Sequence, residues 1–222
     1  MLRDLEEIRN MNGLMSRIFF GLAVFGLSAV SLSANVNNGQ FATPTNPFTT
    51  VTGTAIPGWT VGAGGNVDWI GNYWQSTPGI NYGLNPGYSI DLDGSSSVSS
   101  ISQVIGTTMG DSYTLSFVLS GNPDGPPTVK TLDVIIGGVP TTFTFDKTSI
   151  TRSDMGWTPE SISFTATGSL TEITFESGDG PTPGSYGPVI GDVFVTPEPG
   201  FYGALALGMS GLLVAIQRRR RA

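Results

Sequence analysis

The sequence contains neither cysteine nor histidine. Disulfides are therefore excluded, and so are Cys–His and Ser–His–Asp nucleophilic sites and metal sites built on thiolate or imidazole. Positive charge is also scarce, because residues 35–196 hold three basic side chains, Lys130, Lys147 and Arg152, against thirteen acidic ones. Nucleic acids need basic patches on a protein partner, so we predict no nucleic-acid partner. No sequence motif points to a cofactor, and we predict none.

The body of the chain also lacks a helical period, whereas glycine (31 residues) and proline (15 residues) are abundant. This composition is typical of a turn-rich all-β domain. Apolar and polar residues alternate with period two, which predicts strands with one face buried. We expect eight to ten short strands in a two-sheet sandwich of the jelly-roll type. The clearest candidates are 67–70, 88–92, 99–104, 113–120, 131–136, 143–145, 161–166, 173–176 and 189–195, in which Val189, Val193 and Val195 are expected to share a face.

The N-terminal region has the layout of a secretory signal peptide. Arg17 precedes an apolar run over residues 18–27, and small residues follow up to Ala34. Cleavage is predicted after Ala34, with Ser31 as the alternative. Because an acidic opening is unusual before such a run, translation is expected to start at Met11 or Met15. We therefore assign residues 1–34 to the signal peptide and 35–196 to a single folded domain.

The C-terminal region, residues 197–222, combines three different elements. Pro197-Glu198-Pro199 has an extended backbone with two amide donors missing, residues 201–216 form an uncharged run, and four arginines, Arg218, Arg219, Arg220 and Arg221, follow. The run predicts a transmembrane helix in the inner membrane, slightly short of the hydrocarbon core. The arginines favour the cytoplasmic side, so the body is predicted to lie outside the cytoplasm.

This order of elements resembles the PEP-CTERM sorting signal of bacterial exported proteins. The resemblance implies that an exosortase-type membrane protease recognises Pro197, Glu198 and Pro199 and processes the tail. Before processing, the C-terminal helix would anchor the protein in the inner membrane. Afterwards the protein would reach the cell surface or extracellular matrix. An ordinary single-span anchor is the alternative.

The first third of the body is rich in large aromatic residues between glycines and asparagines. Sugar rings stack on flat aromatic side chains, while amides and carboxylates bond their hydroxyl groups. Trp59 and Trp69 have the sequence context of core residues, whereas the tyrosines and Trp74 lie in loop-like sequence. The carbohydrate-binding candidates are Trp69, Asn72, Tyr73, Trp74, Gln75 and Tyr82.

A second resemblance runs along nearly the whole body. It is carried in order by Asn38-Gly39-Gln40-Phe41, Pro57-Gly58-Trp59, 66–70, 89–94, 119–123 and Tyr186-Gly187-Pro188-Val189-Ile190. Together these segments resemble the choice-of-anchor C family of bacterial surface proteins, which is related to a plant cell-wall domain family of uncharacterised activity. The resemblance implies a galactose-binding-like jelly roll associated with extracellular polysaccharide.

Two departures from that family bear on metal binding. Ala42 and Gly191 stand where the family usually has acids, and in related modules those acids help to hold a structural calcium. Calcium requires six to eight oxygen ligands, several of them from carboxylates. Although Asp192 remains, we predict no metal site.

These observations predict an exported, non-catalytic protein that binds extracellular polysaccharide. One alternative is a glycan-processing enzyme with a carboxylate pair, for which Asp68, Asp91 and Asp93 are the candidates. Another is a purely structural or adhesive surface protein.

Overall fold

The structure, a computed structural model, describes residues 34–42, 47–78, 88–95, 98–179, 185–198 and 219. The residues described form one compact unit. The predicted signal peptide (except Ala34), Tyr82, Pro199, the apolar run 201–216 and Arg218, Arg220 and Arg221 lie outside these residues. Within the described ranges, no helix has the length and apolar character needed to cross a membrane.

The described residues form two antiparallel sheets, which confirms the predicted all-β sandwich. The strand order is β1-β3-β4-β11-β6-β9 in the six-stranded sheet and β2-β5-β10-β7-β8 in the five-stranded sheet. The short β1 and β2 were not predicted, so the strand count exceeds the expected eight to ten. The strands are β1 (Phe48–Val51), β2 (Thr60–Val61), β3 (Val67–Ile70), β4 (Ser89–Asp91), β5 (Ser100–Gly106), β6 (Ser112–Gly121), β7 (Val129–Ile136), β8 (Val139–Asp146), β9 (Thr158–Thr165), β10 (Leu170–Ser177) and β11 (Pro188–Pro197).

The main core lies between the two sheets and is rich in aromatic rings. Phe117 contacts Phe175 edge to face, with ring centroids 5.2 Å apart, and Phe175 lies 6.1 Å from Trp59. In the five-stranded sheet, β5, β7 and β10 alternate regularly between buried and more exposed residues. This is the pattern that period-two alternation predicts for strands with one face in the core.

The six-stranded sheet departs from that pattern because part of its outer face is covered. All residues of β3 and β4 are buried, as are the first six of β11. Val67 and Trp69 belong to the main core, so Asp68 and Ile70 point to the other side of the sheet. There a second apolar cluster forms beneath the loops 71–77 and 151–157, from Ile70, Trp74, Met155 and Val189.

Strand β11 corrects one expectation about side-chain direction. Val193 and Val195 lie in the main core, whereas Val189 lies in the second cluster on the opposite face. The pairing of β11 with β6 shifts register between Gly191 and Phe194, and Asp192 has a φ of 49°. Such a bulge inserts one residue and reverses the alternation beyond it, so regular period-two counting assigns Val189 to the wrong face.

Candidate functional site

A cavity of about 130 Å³ opens to solvent on the outer face of the six-stranded sheet. It is smaller than the roughly 300–1,000 Å³ of pockets that enclose a small molecule, so it can hold one unit of a larger ligand and leave the rest outside. Adjacent strands supply Phe48, Asp68, Ile70 and Asp91, and loops supply the remaining walls: Tyr73, Trp74, Ser95, Asn122, Asp124, Ser185 and Tyr186. Segments that are distant in the chain therefore meet at one site.

Tyr73 is the best-positioned aromatic side chain of the cavity. Its ring contacts Phe48 edge to face at 5.1 Å between centroids and lies 5.6 Å from the ring of Trp74. The hydroxyl of Tyr73 donates to Asp124 Oδ2 at 3.2 Å. Desolvation, followed by the negative charge of Asp124, raises the pKa of the phenol, so Tyr73 remains a neutral donor. The ring is thus fixed before any ligand arrives.

Arg152 reinforces this arrangement from the covering loop. Its guanidinium carbon lies 4.2 Å from the centre of the Tyr73 ring. Its Nε donates to Asp124 Oδ1 at 2.9 Å, and its Nη2 donates to Oδ2 at 3.0 Å. This two-point contact directs the guanidinium toward Asp124. The cation therefore holds the cavity wall together.

Two carboxylates, Asp68 and Asp91, face each other across neighbouring strands as Cα partners of β3 and β4. Asp68 accepts a hydrogen bond from Thr50 Oγ1 at 2.5 Å. Burial raises the pKa of the Asp68 carboxyl, and the hydrogen bond from Thr50 opposes this shift.

Asp91 is fully buried, and both of its oxygens are occupied. Oδ1 accepts from the amides of Asp93 (3.1 Å) and Gly187 (2.9 Å), and Oδ2 accepts from Asn122 Nδ2 (2.7 Å). Desolvation raises the pKa of Asp91 well above its ordinary value, against these hydrogen bonds. Asp91 therefore acts as a structural centre that fixes the backbone around the cavity.

Asn122 and Lys130 join the two loops that form the far wall. Asn122 Nδ2 also donates to Ser185 O at 3.1 Å. The buried Lys130 ammonium donates to Gly125 O at 3.2 Å and to Tyr186 O. Burial lowers the pKa of Lys130, while the charges of Asp179 and Asp91 oppose that shift. The loops 122–125 and 185–187 are consequently held together from beneath.

The structure separates the carbohydrate-binding candidates. Trp69 is 8% exposed, faces the main core and donates its indole N–H to Phe41 O at 2.7 Å. Its ring cannot stack on a sugar without opening the core, so we remove Trp69 from the site. Trp74 borders the cavity but is 5% exposed, and its indole donates to Ser89 Oγ at 3.0 Å. Trp74 therefore supports the wall, and Tyr73 is the more accessible ring.

Asn72 and Gln75 are exposed on the same loop, outside the cavity lining. Gln75 anchors the covering loops to each other. Its backbone N–H donates to Arg152 O at 2.7 Å, and its side-chain Oε1 accepts from Met155 N at 2.8 Å. Tyr82 lies outside the described residues. Sequence reasoning missed Phe48, Asn122, Asp124 and Tyr186 as site residues. The segments 119–123 and 186–190, which carry the second family resemblance, were the available signal for this wall.

The first two residues of the Pro-Glu-Pro motif, Pro197 and Glu198, belong to the folded domain. β11 extends to Pro197, and the Glu198 amide donates to Ser112 O at 2.8 Å. The Glu198 carboxylate accepts from Thr114 Oγ1 at 2.8 Å and from Ser163 Oγ at 3.0 Å. Glu198 is therefore attached to β6 and β9. Arg219, the one described residue beyond it, is exposed.

Comparisons with solved structures give likenesses at low identity. The chain is similar to a family 35 carbohydrate-binding module from Clostridium thermocellum (13% identity, 66% of this chain and 97% of that chain, TM-score 0.41). It is also similar to a CBM4 structure (20% identity, 73% and 99%, TM-score 0.41). A third likeness is to an isomalto-dextranase of Arthrobacter globiformis T6 (13% identity, 69% and 24%, TM-score 0.41). Likeness at this level carries no argument about what the chain binds.

The family of the chain is shown by comparison of its sequence with protein-family models. No curated protein matches the chain. One family model matches residues 34–196, which is most of the chain and nearly all of its folded part. The chain thus belongs to the family described as "Protein of unknown function (DUF642)".

Proposed function

We propose that the chain is an exported, non-catalytic surface or matrix protein that binds extracellular polysaccharide in the cavity above β1, β3 and β4. One observation carries this proposal: a solvent-open cavity combines fixed aromatic rings with hydrogen-bonding side chains. The rings of Phe48 and Tyr73 offer apolar surfaces for the C–H face of a sugar, and Asp68 and Asp124 offer acceptors for its hydroxyls.

The proposal places the fold among galactose-binding-like jelly rolls of the choice-of-anchor C type. Export by the signal peptide, sorting by the PEP-CTERM tail and processing by an exosortase-type protease are parts of the same proposal. They are supported by the order of sequence elements at the two ends of the chain. The inner membrane is then a temporary partner, and extracellular polysaccharide the lasting one.

The chemistry of the carboxylate pair favours binding over catalysis. Asp68 and Asp91 line the same cavity, and a glycosidase also uses two carboxyl groups in one site. However, both oxygens of Asp91 already accept hydrogen bonds from buried donors, and its surface is inaccessible to solvent. A nucleophile or general acid must reach the substrate, and Asp91 would have to break these bonds to do so.

A glycan array tests the proposal directly, with the purified full-length chain kept in a mild detergent. We expect binding to at least one polysaccharide class. In the double variant Phe48→Ala with Tyr73→Ala, the affinity for that polysaccharide should fall roughly tenfold or more. The matched control is Val104→Ala with Leu170→Ala, which removes two exposed apolar side chains from the other sheet. Equal binding by both double variants, with circular dichroism unchanged, would contradict the site.

A further inference from the structure

The cavity that the proposed function uses has a one-sided charge. Three carboxylates line it, those of Asp68, Asp91 and Asp124. Among the described lining residues there is no lysine or arginine. A negatively charged ligand would therefore meet like charges, with no cationic side chain among these residues to pair with, which is a recognised way to reject a partner.

The nearest cation does not change this balance. Both ends of the Arg152 guanidinium donate to Asp124, and its flat face covers one side of the Tyr73 ring. To bind an anion, Arg152 would have to leave Asp124 uncompensated beside the cavity. Asp124 is thus neutralised in place, and its pair with Arg152 attracts neither sign of charge strongly.

Asp68 is different from the other two carboxylates. It is 7% exposed and borders the cavity, and its hydrogen-bond donors are neutral: Thr50 Oγ1 at 2.5 Å and the amide of Ser95. Asp91 beside it has both oxygens occupied, with Lys130 beneath the wall. Asp68 is therefore the carboxylate of the cavity whose charge is least balanced by the protein.

Aromatic side chains share the cavity with Asp68. Phe48, Tyr73 and Tyr186 line the same cavity. The negative face of an aromatic ring attracts an ammonium group, most strongly where water is partly excluded. A carboxylate that shares a cavity with such rings suits an ammonium group that sits on a flat, partly apolar ligand.

We propose that the cavity selects its glycan by charge, preferring amino-sugar units whose ammonium group pairs with Asp68 and excluding uronate-bearing glycans. This inference rests on the proposed polysaccharide-binding function and specifies its ligand class. The acidic body of the chain adds to the effect by attracting cationic glycans over a longer range.

The test compares three hexasaccharides that share a β-1,4 backbone and differ in charge: those of glucosamine, glucose and glucuronic acid. Their affinities for the full-length chain are measured by calorimetry in mild detergent at pH 6, where glucosamine is charged, and at low salt. We expect the glucosamine hexasaccharide to bind roughly tenfold more tightly than the glucose one, and the glucuronic acid one not to bind measurably. Asp68→Asn should remove most of the preference for glucosamine over glucose.

The control variant is Glu172→Gln, which removes the same charge from an exposed position on the five-stranded sheet. It should keep the preference. If Glu172→Gln and Asp68→Asn weaken the preference equally, general attraction to the acidic surface explains it and the assignment to Asp68 fails. If glucose and glucuronic acid hexasaccharides bind equally, charge selection fails while polysaccharide binding stands. If none of the three binds, the inference fails, and the glycan array decides the proposed function separately.

Discussion

The outer faces of the two sheets differ in their solvent exposure, although both sheets enclose the same core. On the five-stranded sheet the outer residues of β7 and β10 are mostly polar and accessible, as in Asp133, Glu172 and Glu176. On the six-stranded sheet the corresponding face is buried under two loops around Asp68 and Asp91. Polar side chains there are held by specific partners instead of water, and this is where the cavity lies. Strands with a regular alternation of buried and exposed residues therefore form the scaffold, and strands in which this alternation is interrupted carry the site.

The largest expected effect is the difference in stability between two variants, one that lacks a carboxylate on the covered face and one that lacks a carboxylate on the accessible face. Asp91→Ala leaves Asn122 and the amides of Asp93 and Gly187 without their buried acceptor, and should lower the free energy of unfolding by about 3–5 kcal/mol. Asp133→Ala on the other face loses one hydrogen bond, from Thr142 Oγ1, and should cost less than about 1 kcal/mol. Urea unfolding of both variants measures the difference. Equal costs would erase the distinction between the two faces.

A smaller effect is expected from pH, through the carboxyl of Asp93 at the end of β4. Burial raises its pKa to about 6; the Ser177 hydrogen bond and Lys130 oppose the shift, and the charge of Asp179 adds to it. Since the folded pKa exceeds the unfolded one, the folded state binds the proton more tightly. This contribution to stability is therefore present below about pH 4 and is lost as pH rises to about 6.

Allowing for solvent screening, the loss should be about 2 kcal/mol. Asp93→Asn should remove this part of the pH profile, measured as urea midpoints between pH 4 and pH 7. Glu176→Gln, on the accessible face, serves as the control and should leave the profile unchanged. A profile in Asp93→Asn that falls over this range by as much as that of the unchanged protein would assign the titration to another group.

The smallest effect is expected at the joint between the two wall loops. A Cβ at Gly125 would lie 2.1 Å from Tyr186 Cδ2, so Gly125→Ala must displace that ring. Because Tyr186 borders the open cavity, it can move, and the cost should be only about 1 kcal/mol. Binding in the cavity should nevertheless weaken several-fold. Gly168→Ala, whose nearest contact would be Leu170 O at 3.7 Å, is the control and should change neither property.

The long strands could be predicted from the sequence in both sheets. β3 was placed at its observed bounds, and β5, β6, β7 and β10 were found because their alternation is regular. β2 has two residues and too short a pattern to detect, and β1 was also missed. Val189 was assigned to the wrong face because a bulge is set by pairing with β6 and leaves no mark in the period of apolar residues.

The site was predicted only in part, for a physical reason. The loop with Tyr73 and Trp74 was identified from its residue types, and it does border the cavity. Phe48, Asp124 and Tyr186 come from other parts of the chain, and only the folded sheets bring them to that loop. Trp69 was a candidate because of its residue type, although its sequence context already indicated a core residue, and its ring does face the core from β3.

The position of β11 has a mechanical consequence. This strand lies inside the six-stranded sheet, paired with β4 on one side and β6 on the other, and it leads directly to Glu198. Tension applied to the C-terminal end would pull along the strand, so many ladder hydrogen bonds would share the load and would have to break together. A chain held by that end would resist extension better than one held through an edge strand, which has ladder hydrogen bonds on one side only.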